Sequence, residues 1–336
     1  MTDIITSAFA HLEHMSDERG LFEHADRAEP RVAGGYCTDD NARLLVVTSR
    51  EVDIGRAGSL SRLALRFVRE AQDEEGRFHN RMGLSGTWED EATTEDCWGR
   101  AMWGLGVCAA HHTNPAMRRW AHRAVTTGLR QRSPWSRATA FATIGVAEVA
   151  AIDGCSGAIR SLLVDSVVKV GMVPSGEWSW PEPMLRYSNA TVAEALIAAG
   201  AALHSQSDVD RGLRMLDWLL RLELAPGHLS VVGTNGRTRD ERGPQFDQQP
   251  IEVAAMADAC WRAREVTGDP EWTRGIIAAA DWFMGANDAG LRMFDEESGG
   301  SYDGLHSDRV NLNQGAESTL ALVSTFQRST RYAAVP

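Results

Sequence analysis

Two pairs of adjacent acidic residues, Asp39-Asp40 and Glu95-Asp96, lie just before or within the first turn of predicted helices. Asp, Asn and Thr commonly cap helix N-termini, so a single acid at such a place needs no further explanation. A second adjacent acid exceeds what one cap requires. Cleavage of a glycosidic bond needs two carboxyl groups, one to protonate the leaving oxygen and one to activate water or attack carbon. Two acids from different helix starts meet that requirement.

We predict Asp40 and Asp96 as the catalytic pair, with Asp39 and Glu95 as near-equal substitutes. The positive end of a helix dipole favours an ionised carboxylate, which suits the base. The acid needs a desolvated or acid-crowded place that raises its pKa, and paired acids can supply that crowding. The assignment of acid and base stays open, as does inversion or retention at the anomeric carbon. Outside candidates are Glu182, Glu252 and Glu317.

Aromatic and polar residues in or beside glycine-rich loops complete the candidate site. Tryptophan faces suit sugar rings, while arginine, asparagine and glutamine can hold hydroxyl groups. The arginines can equally neutralise the acidic side chains. A pair of histidines that face each other would suit acid/base isomerisation of a sugar. The predicted binding residues are Tyr36, Arg43, His79, Trp88, Trp98, Arg100, Trp178, Trp180, Glu182, Arg186, Tyr187, Asn189, Gln249, Glu252, His306, Asn313, Gln314 and Glu317.

The sequence lacks the common cofactor motifs. It contains no P-loop, no GxGxxG after a predicted strand, no HExxH, no GxSxG and no clustered Cys/His set. We therefore predict no cofactor and no metal. The five cysteines form no CxxC pair, and their odd number argues against a disulfide framework.

Composition and charge narrow the class of partner. The 336 residues are 43% hydrophobic and 24% charged, without a low-complexity linker, so we expect one domain over residues 1–336. The formal net charge of −12 repels phosphate backbones and anionic lipid, which disfavours nucleic acid and membranes as partners. A small carbohydrate is a better candidate ligand than nucleic acid or a membrane.

The first 15 residues lack a basic segment followed by an apolar run, so a cytoplasmic location is expected. The oligomeric state stays open.

Helical periodicity predicts two alternating kinds of segment. Amphipathic segments with an Arg-rich face look like outer helices, and they lie at 5–17, 59–72, 114–131, 156–170, 207–222 and 270–286. Ala- and Gly-rich segments with few charges look like inner helices that pack on several sides, and they lie at 40–52, 95–110, 137–152, 189–204, 249–261 and 314–326. Six alternations predict a closed ring or an open solenoid.

Loop lengths predict where the site lies. Connections from inner to outer segments are short, whereas those from outer to inner segments are long in five of six cases. Because successive helices reverse direction, the long loops gather at one face, above the inner-helix N-termini. We expect Asp40, Asp96, Gln249 and Gln314 to surround one hollow there. Glycine-led stretches such as 76–82 and 176–180 predict short β-hairpins at its rim.

Four motifs carry a resemblance to a known family: GYCTDDNAR (35–43), GRFHN (76–80), EDCWGRAMWGLG (95–106) and NQGAEST (313–319). They resemble a bacterial family of six-hairpin glycosidase-like proteins, found alone or as a C-terminal region attached to group 1 glycosyltransferases. The resemblance extends along nearly the whole chain. It implies an all-α, (α/α)6 toroid and a role in sugar metabolism.

The leading hypothesis is a glycoside hydrolase that acts on a small oligosaccharide. A sugar epimerase or isomerase on the same fold is the second hypothesis, and it would depend on His79 or His306. A glycoside phosphorylase would require inorganic phosphate. A non-catalytic oligosaccharide-binding module is the alternative from a different class.

Overall fold

The computed structural model describes residues 2–51, 54–174 and 176–330. Within these ranges, outer and inner α-helices alternate as predicted. The outer helices are α1 (Thr2–His14), α3 (Ile54–Glu70), α5 (Pro115–Gly128), α7 (Gly157–Val170), α9 (Gln206–Glu223) and α11 (Thr273–Phe283). The inner helices are α2 (Thr38–Arg50), α4 (Asp96–His111), α6 (Ser136–Asp153), α8 (Asn189–Ala202), α10 (Pro250–Thr267) and α12 (Ala316–Ser329).

The inner helices form a closed ring. Each packs against the next, and α12 packs back against α2. Every outer helix lies against an inner one, with α1 on α12 and α3 on α2. The fold is therefore an (α/α)6 toroid, which confirms the predicted fold class and excludes the open solenoid.

Glycines let neighbouring inner helices approach each other closely. A Cβ on Gly106 of α4 would lie 2.1 Å from the carbonyl oxygen of Gly145 on α6. A Cβ on Gly145 would in turn lie 2.2 Å from the carbonyl oxygen of Met102. Any side chain at these positions would push the two helices apart, so the Gly-rich composition has a packing cause.

The outer helices bury one apolar stripe each. In α9 the residues Val209, Met215, Leu216, Leu219 and Leu220 are buried at the spacing of one helical face. The opposite face carries charged side chains. In the described part of the chain, no helix is long and apolar enough to cross a membrane.

Short antiparallel strand pairs join the long loops at one face. The pairs are β1 (Ala25–Asp26) with β2 (Glu29–Pro30), β3 (Tyr36–Cys37) with β4 (Arg81–Met82), β5 (Met184–Leu185) with β6 (Arg237–Thr238), and β7 (Gly304–Leu305) with β8 (Val310–Asn311). The first and last are local hairpins. The other two connect successive loops, a pairing that single-loop turn signals do not predict.

Two sequence predictions need correction, and the end of a third lies outside the described residues. Residues 176–180 form no strand, and the strand of that loop is β5. Helix α10 continues to Thr267, well past the predicted end at 261, because Gly268 ends it in a left-handed conformation with φ of 72°. The predicted segment 40–52 ends at Val52, which lies outside the described residues.

Candidate active site

A cavity of about 280 Å³ opens at the N-terminal ends of α2, α10 and α12. We call it the acidic cavity because six of its lining residues are carboxylates: Glu23, Asp39, Asp40, Asp247, Asp303 and Glu317. Arg43, His24 and Gln249 also line it. Three of the predicted acids (Asp39, Asp40 and Glu317) and the predicted Gln249 thus share one hollow.

Arg43 joins two carboxylates of this cavity. Its Nη1 lies 2.6 Å from Oδ1 of Asp40, and its Nη2 lies 2.5 Å from Oε2 of Glu317. Asp40 is buried, and this burial raises its pKa although Arg43 opposes the shift. The Cys37 thiol donates a hydrogen bond to Oδ2 of Asp40 over 3.1 Å. Glu317 differs from Asp40 because 41% of its side chain is exposed.

Asp247 and Asp303 line the same cavity, and sequence reasoning missed both. Burial raises the pKa of Asp247; His306, 3.9 Å away, opposes the shift, and Asp303 adds to it. Oδ1 of Asp247 is buried without a hydrogen-bond partner among the described residues. Oδ1 of Asp303 accepts hydrogen bonds from Gly315 N and Ser318 Oγ, at 2.8 and 2.7 Å. The sequence signal that could have indicated Asp247 was its position two residues before the predicted Gln249.

A second cavity of about 400 Å³ lies beside the first. Asp96 and Glu95 line it, together with Asn80, Arg81, Asp90, Glu91, Thr93, Cys97, Trp135 and Tyr187. Glu95 is the N-cap residue of α4 but makes no capping hydrogen bond with its side chain. The capping interpretation therefore does not account for this acidic pair.

Arg100 joins the two cavities. Its Nη1 lies 3.0 Å from Oδ2 of Asp39, and its Nη2 lies 3.2 Å from Oδ2 of Asp96. Asn80, which lines the second cavity, donates to Asp39 over 3.4 Å. The predicted catalytic acids Asp40 and Asp96 thus face different cavities, separated by Asp39 and Arg100. The hollow that the sequence predicted is thus divided into two neighbouring cavities.

The four tryptophans predicted to stack on sugars line neither cavity. Trp98 and Trp180 are fully buried, so they offer no face to a ligand. Trp98 faces α5 and donates to the carbonyl oxygen of Gly128 over 3.4 Å. Trp178 and Trp180 pack against Trp218. All of these contacts complete the apolar packing between helices and rim loops.

Trp88 and two other predicted aromatic residues support the rim loops. Trp88 packs between Phe67 and His79, with ring centroids 5.4 and 5.2 Å away. His79 also contacts the carbonyl oxygen of Asp90 through Nδ1 at 2.7 Å. Tyr36 is buried, and its hydroxyl group donates to Asp17 over 2.7 Å. Neither His79 nor Tyr36 lines a cavity described above.

Gln314 and Asn313 hold rim loops in place and do not line the acidic cavity. The side-chain oxygen of Gln314 accepts a hydrogen bond from Ser298 Oγ over 2.6 Å. Oδ1 of Asn313 accepts one from the backbone of Arg27 over 3.1 Å. Gln314 is buried and its side-chain oxygen is engaged, so its binding role stays a prediction that this position does not favour.

The predicted residues of the loop before α8 hold that loop. Arg137, a buried residue that sequence reasoning missed, pairs with Glu182 and donates to Oδ1 of Asn189 over 3.2 Å. Asn189 also accepts a hydrogen bond from the backbone of Arg186 at 2.9 Å. The Arg186 side chain is exposed and lines neither cavity. The available signal was an arginine near the start of an inner helix, as in Arg43.

One group of side chains has the composition of a cation site. Ligand atoms of Glu23, Cys37 and Asp40 lie within 4.8 Å of one another. Each is already engaged, since Arg81 pairs with Glu23 and the Cys37 thiol donates to Asp40. Burial also raises the pKa of Cys37, which keeps the thiol protonated. The donor set fits an internal hydrogen-bond network better than a metal.

No family model matches the sequence, and no curated protein matches it. The structure belongs to the class of (α/α)6 toroids, and solved structures of that class align over nearly the whole chain.

A sugar epimerase from a ruminal bacterium aligns with a TM-score of 0.70 and 12% identity, over 98% of this chain and 100% of that one. A D-mannose isomerase aligns with a TM-score of 0.70 and 11% identity, over 98% of this chain and 96% of that one. The GH76 α-mannanase of Bacteroides thetaiotaomicron aligns with a TM-score of 0.65 and 9% identity, over 99% of this chain and 95% of that one. At such low identities the similarity concerns the fold.

Proposed function

We propose that this protein is a carbohydrate-active enzyme, and specifically a glycoside hydrolase that cleaves a small oligosaccharide in the acidic cavity. The observation that carries the proposal is the presence of two kinds of carboxyl group around one hollow. Asp247 has a raised pKa and an unpartnered, buried oxygen. Glu317 is partly exposed and paired with Arg43.

This difference in environment suits the two roles of glycoside cleavage. Asp247 retains a proton more readily and donates it to the leaving glycosidic oxygen. Glu317, which is ion-paired with Arg43, takes a proton from the attacking water or attacks the anomeric carbon itself. In the first case water supplies the hydroxyl group of the new reducing end, and afterwards Glu317 releases its proton to solvent while Asp247 regains one. In the second case Asp247, deprotonated by the first step, takes a proton from a water molecule that cleaves the bond between Glu317 and the sugar, which restores both carboxyl groups.

Asp40 has another role in this proposal. Both of its oxygens are engaged, one by Arg43 and one by Cys37. It holds Arg43 in place, so that the other end of the guanidinium group reaches Glu317. Asp96, on the far side of Arg100, lines the second cavity, whereas Asp247 lines the acidic cavity. The catalytic pair thus differs from the pair predicted by sequence.

The test is a screen of hydrolysis across oligosaccharides of defined linkage, followed by variants on the best substrate. Asp247→Asn and Glu317→Gln are each expected to lower kcat by roughly 10²- to 10⁴-fold, as for loss of a general acid or base. Asp217→Asn, a change in an exposed ion pair on α9, is the matched control. The assignment fails if the wild type cleaves a substrate and both variants keep its rate. Asp40→Asn and Asp96→Asn in the same assay test the sequence-based pair.

An epimerase or isomerase is the second candidate, because imidazole groups lie at the acidic cavity. His24 lines it, and Nδ1 of His306 lies 3.9 Å from Asp247. Such a reaction removes a proton beside the carbonyl group of a reducing sugar. Incorporation of deuterium from heavy water into a reducing sugar, lost in His306→Gln, would favour it over hydrolysis. Product formation that requires inorganic phosphate would indicate a phosphorylase, and binding without turnover a non-catalytic module.

Several other sequence-based expectations stay predictions. They are the single domain over residues 1–336, the cytoplasmic location and the association with glycosyltransferases.

A further inference from the structure

We propose that the second cavity is a sugar-ring subsite continuous with the acidic cavity, so that the substrate is an oligosaccharide of at least two rings. The inference rests on the proposed function, because it extends the same site. It follows from the aromatic residues, the polar lining and the shared wall of the two cavities.

Two aromatic side chains at the second cavity are unusually exposed. Trp135 is 57% exposed and Tyr187 is 44% exposed. A single exposed aromatic residue is common on protein surfaces and needs no explanation. Here both residues line the same concavity, whose volume of about 400 Å³ lies within the range of small-molecule sites. Flat apolar faces in a polar hollow suit the C–H faces of a pyranose ring.

The backbone and neighbours of these aromatic residues are well defined. Trp135 immediately precedes α6, and its backbone N–H donates to Ser133 Oγ over 3.1 Å. The guanidinium carbon of Arg137 lies 5.7 Å from the ring centroid of Tyr187. Arg137 is itself buried and bound to Asn189. The backbone at Trp135 and the ring of Tyr187 are therefore held in place before a ligand binds, which reduces the entropy lost on binding.

The polar lining supplies partners for hydroxyl groups. Asn80 offers an amide, Thr93 a hydroxyl and Asp96 a carboxylate on the same surface. Aromatic faces combined with planar hydrogen-bonding groups match a ring that is apolar on its faces and polar at its edge.

The shared wall makes the two cavities parts of one cleft. Asp39 lines the acidic cavity, Asp96 lines the second, and Arg100 binds both carboxylates. Asn80 contacts Asp39 across the same boundary. A chain of sugar rings can thus extend from the acidic cavity, where Asp247 and Glu317 lie, past Asp39 into the second cavity.

Calorimetric binding of saccharides of one to four units tests the inference, together with kcat and KM on a cleaved oligosaccharide. Trp135→Ala is expected to weaken binding of two or more units roughly tenfold and to raise KM, while binding of one unit and kcat stay nearly unchanged. Trp135→Phe should retain most of the affinity. Trp120→Ala is the matched control, because Trp120 is 44% exposed on outer helix α5, away from both cavities.

The outcomes separate the two proposals. If oligosaccharides bind and are cleaved, but Trp135→Ala and Tyr187→Ala leave affinity and KM unchanged at every length, the subsite is refuted while the proposed function stands. If oligosaccharides bind without cleavage, the length dependence of binding still decides on the subsite, and hydrolysis is refuted. If no saccharide binds, both proposals fail. Unchanged far-ultraviolet circular dichroism of each variant excludes unfolding as the cause.

Discussion

Glu252 lies in the first turn of α10, but its carboxyl group serves the start of α8. It accepts a hydrogen bond from the backbone of Ser188 over 2.6 Å and one from Asn189 over 3.5 Å. Full burial raises the pKa of Glu252 to about 7, although these backbone donors and Arg137 lower it. Its position in the sequence suggested a ligand contact, whereas its surroundings indicate a helix-capping role.

Replacing this residue should change how stability depends on pH. The ordinary pKa of 4.5 applies in the unfolded chain, and the folded value is about 7. Between these values the folded protein keeps a proton that the unfolded chain releases, so wild-type stability falls by roughly 3 kcal/mol as pH rises. Glu252→Gln removes this loss and keeps an acceptor for Ser188. The variant is expected to be more stable than the wild type at pH about 8 and similar near pH about 4.

Chemical denaturation at both pH values measures this difference. Glu271→Gln is the matched control, because it makes the same change on a side chain that is 68% exposed. A stability change in Glu252→Gln that is equal at both pH values would contradict the expectation, since it would indicate altered packing and not a shifted pKa.

The sequence predicted residue types at the site better than side-chain directions. Trp98 and Trp135 both lie near the start of an inner helix, yet Trp98 is buried and Trp135 is exposed. A helix turns by about 100° per residue, and sequence-based helix ends are uncertain by more than one residue. An error of that size moves a side chain from the cavity to the packed side. Exposure at a helix start therefore required coordinates.

At the level of helices, Asp258 of α10 connects three members of the inner ring. Its carboxylate lies 3.0 Å from Nη1 of Arg50 on α2 and 2.6 Å from Nε of Arg328 on α12. Ser324 on α12 donates to it over 2.9 Å. Burial alone would raise the pKa of Asp258, but the two arginines hold it below its usual value. The carboxylate thus joins α10, α12 and α2 where the ring closes.

Asp258→Asn is expected to destabilise the protein by about 3 to 5 kcal/mol, because it leaves two buried guanidinium groups without their carboxylate. The measurement is the free energy of unfolding from chemical denaturation near neutral pH. Asp217→Asn breaks an exposed ion pair on α9 and should cost less than about 1 kcal/mol. Equal effects of the two changes would show that the buried cluster adds nothing to ring closure.

Helix order was predictable, but the composition of each cavity was not. Alternating segments and loop lengths predicted the ring and its functional face. The contact of α12 with α2 then brings Glu317 to Arg43, so that the acidic cavity combines the first, fifth and sixth inner helices. Asp96, on the second inner helix, falls on the other side of Asp39. Such neighbourhoods depend on ring closure, which local periodicity does not specify.

At the level of the whole molecule, the charge of the site has the same sign as the net charge of −12. Six carboxylates in the acidic cavity face Arg43 and His24. In the second cavity Asp90, Glu91, Glu95 and Asp96 face Arg81. Concave walls of low dielectric concentrate this negative potential at the place where a ligand must enter.

This potential should select against acidic sugars. A neutral oligosaccharide is expected to bind with nearly the same affinity from about 0.01 M to about 1 M salt, over which the screening length falls from about 30 to about 3 Å. The same oligosaccharide with one terminal uronic acid should bind roughly fivefold more weakly at low salt, because one uncompensated charge contact costs about 1 kcal/mol. Its affinity should approach that of the neutral form at high salt. Calorimetric titrations of both ligands measure this convergence. Tighter binding of the uronic acid at low salt would contradict the expectation. It would mean that Arg43, Arg81 or Arg100 contributes more to ligand binding than the carboxylates around them.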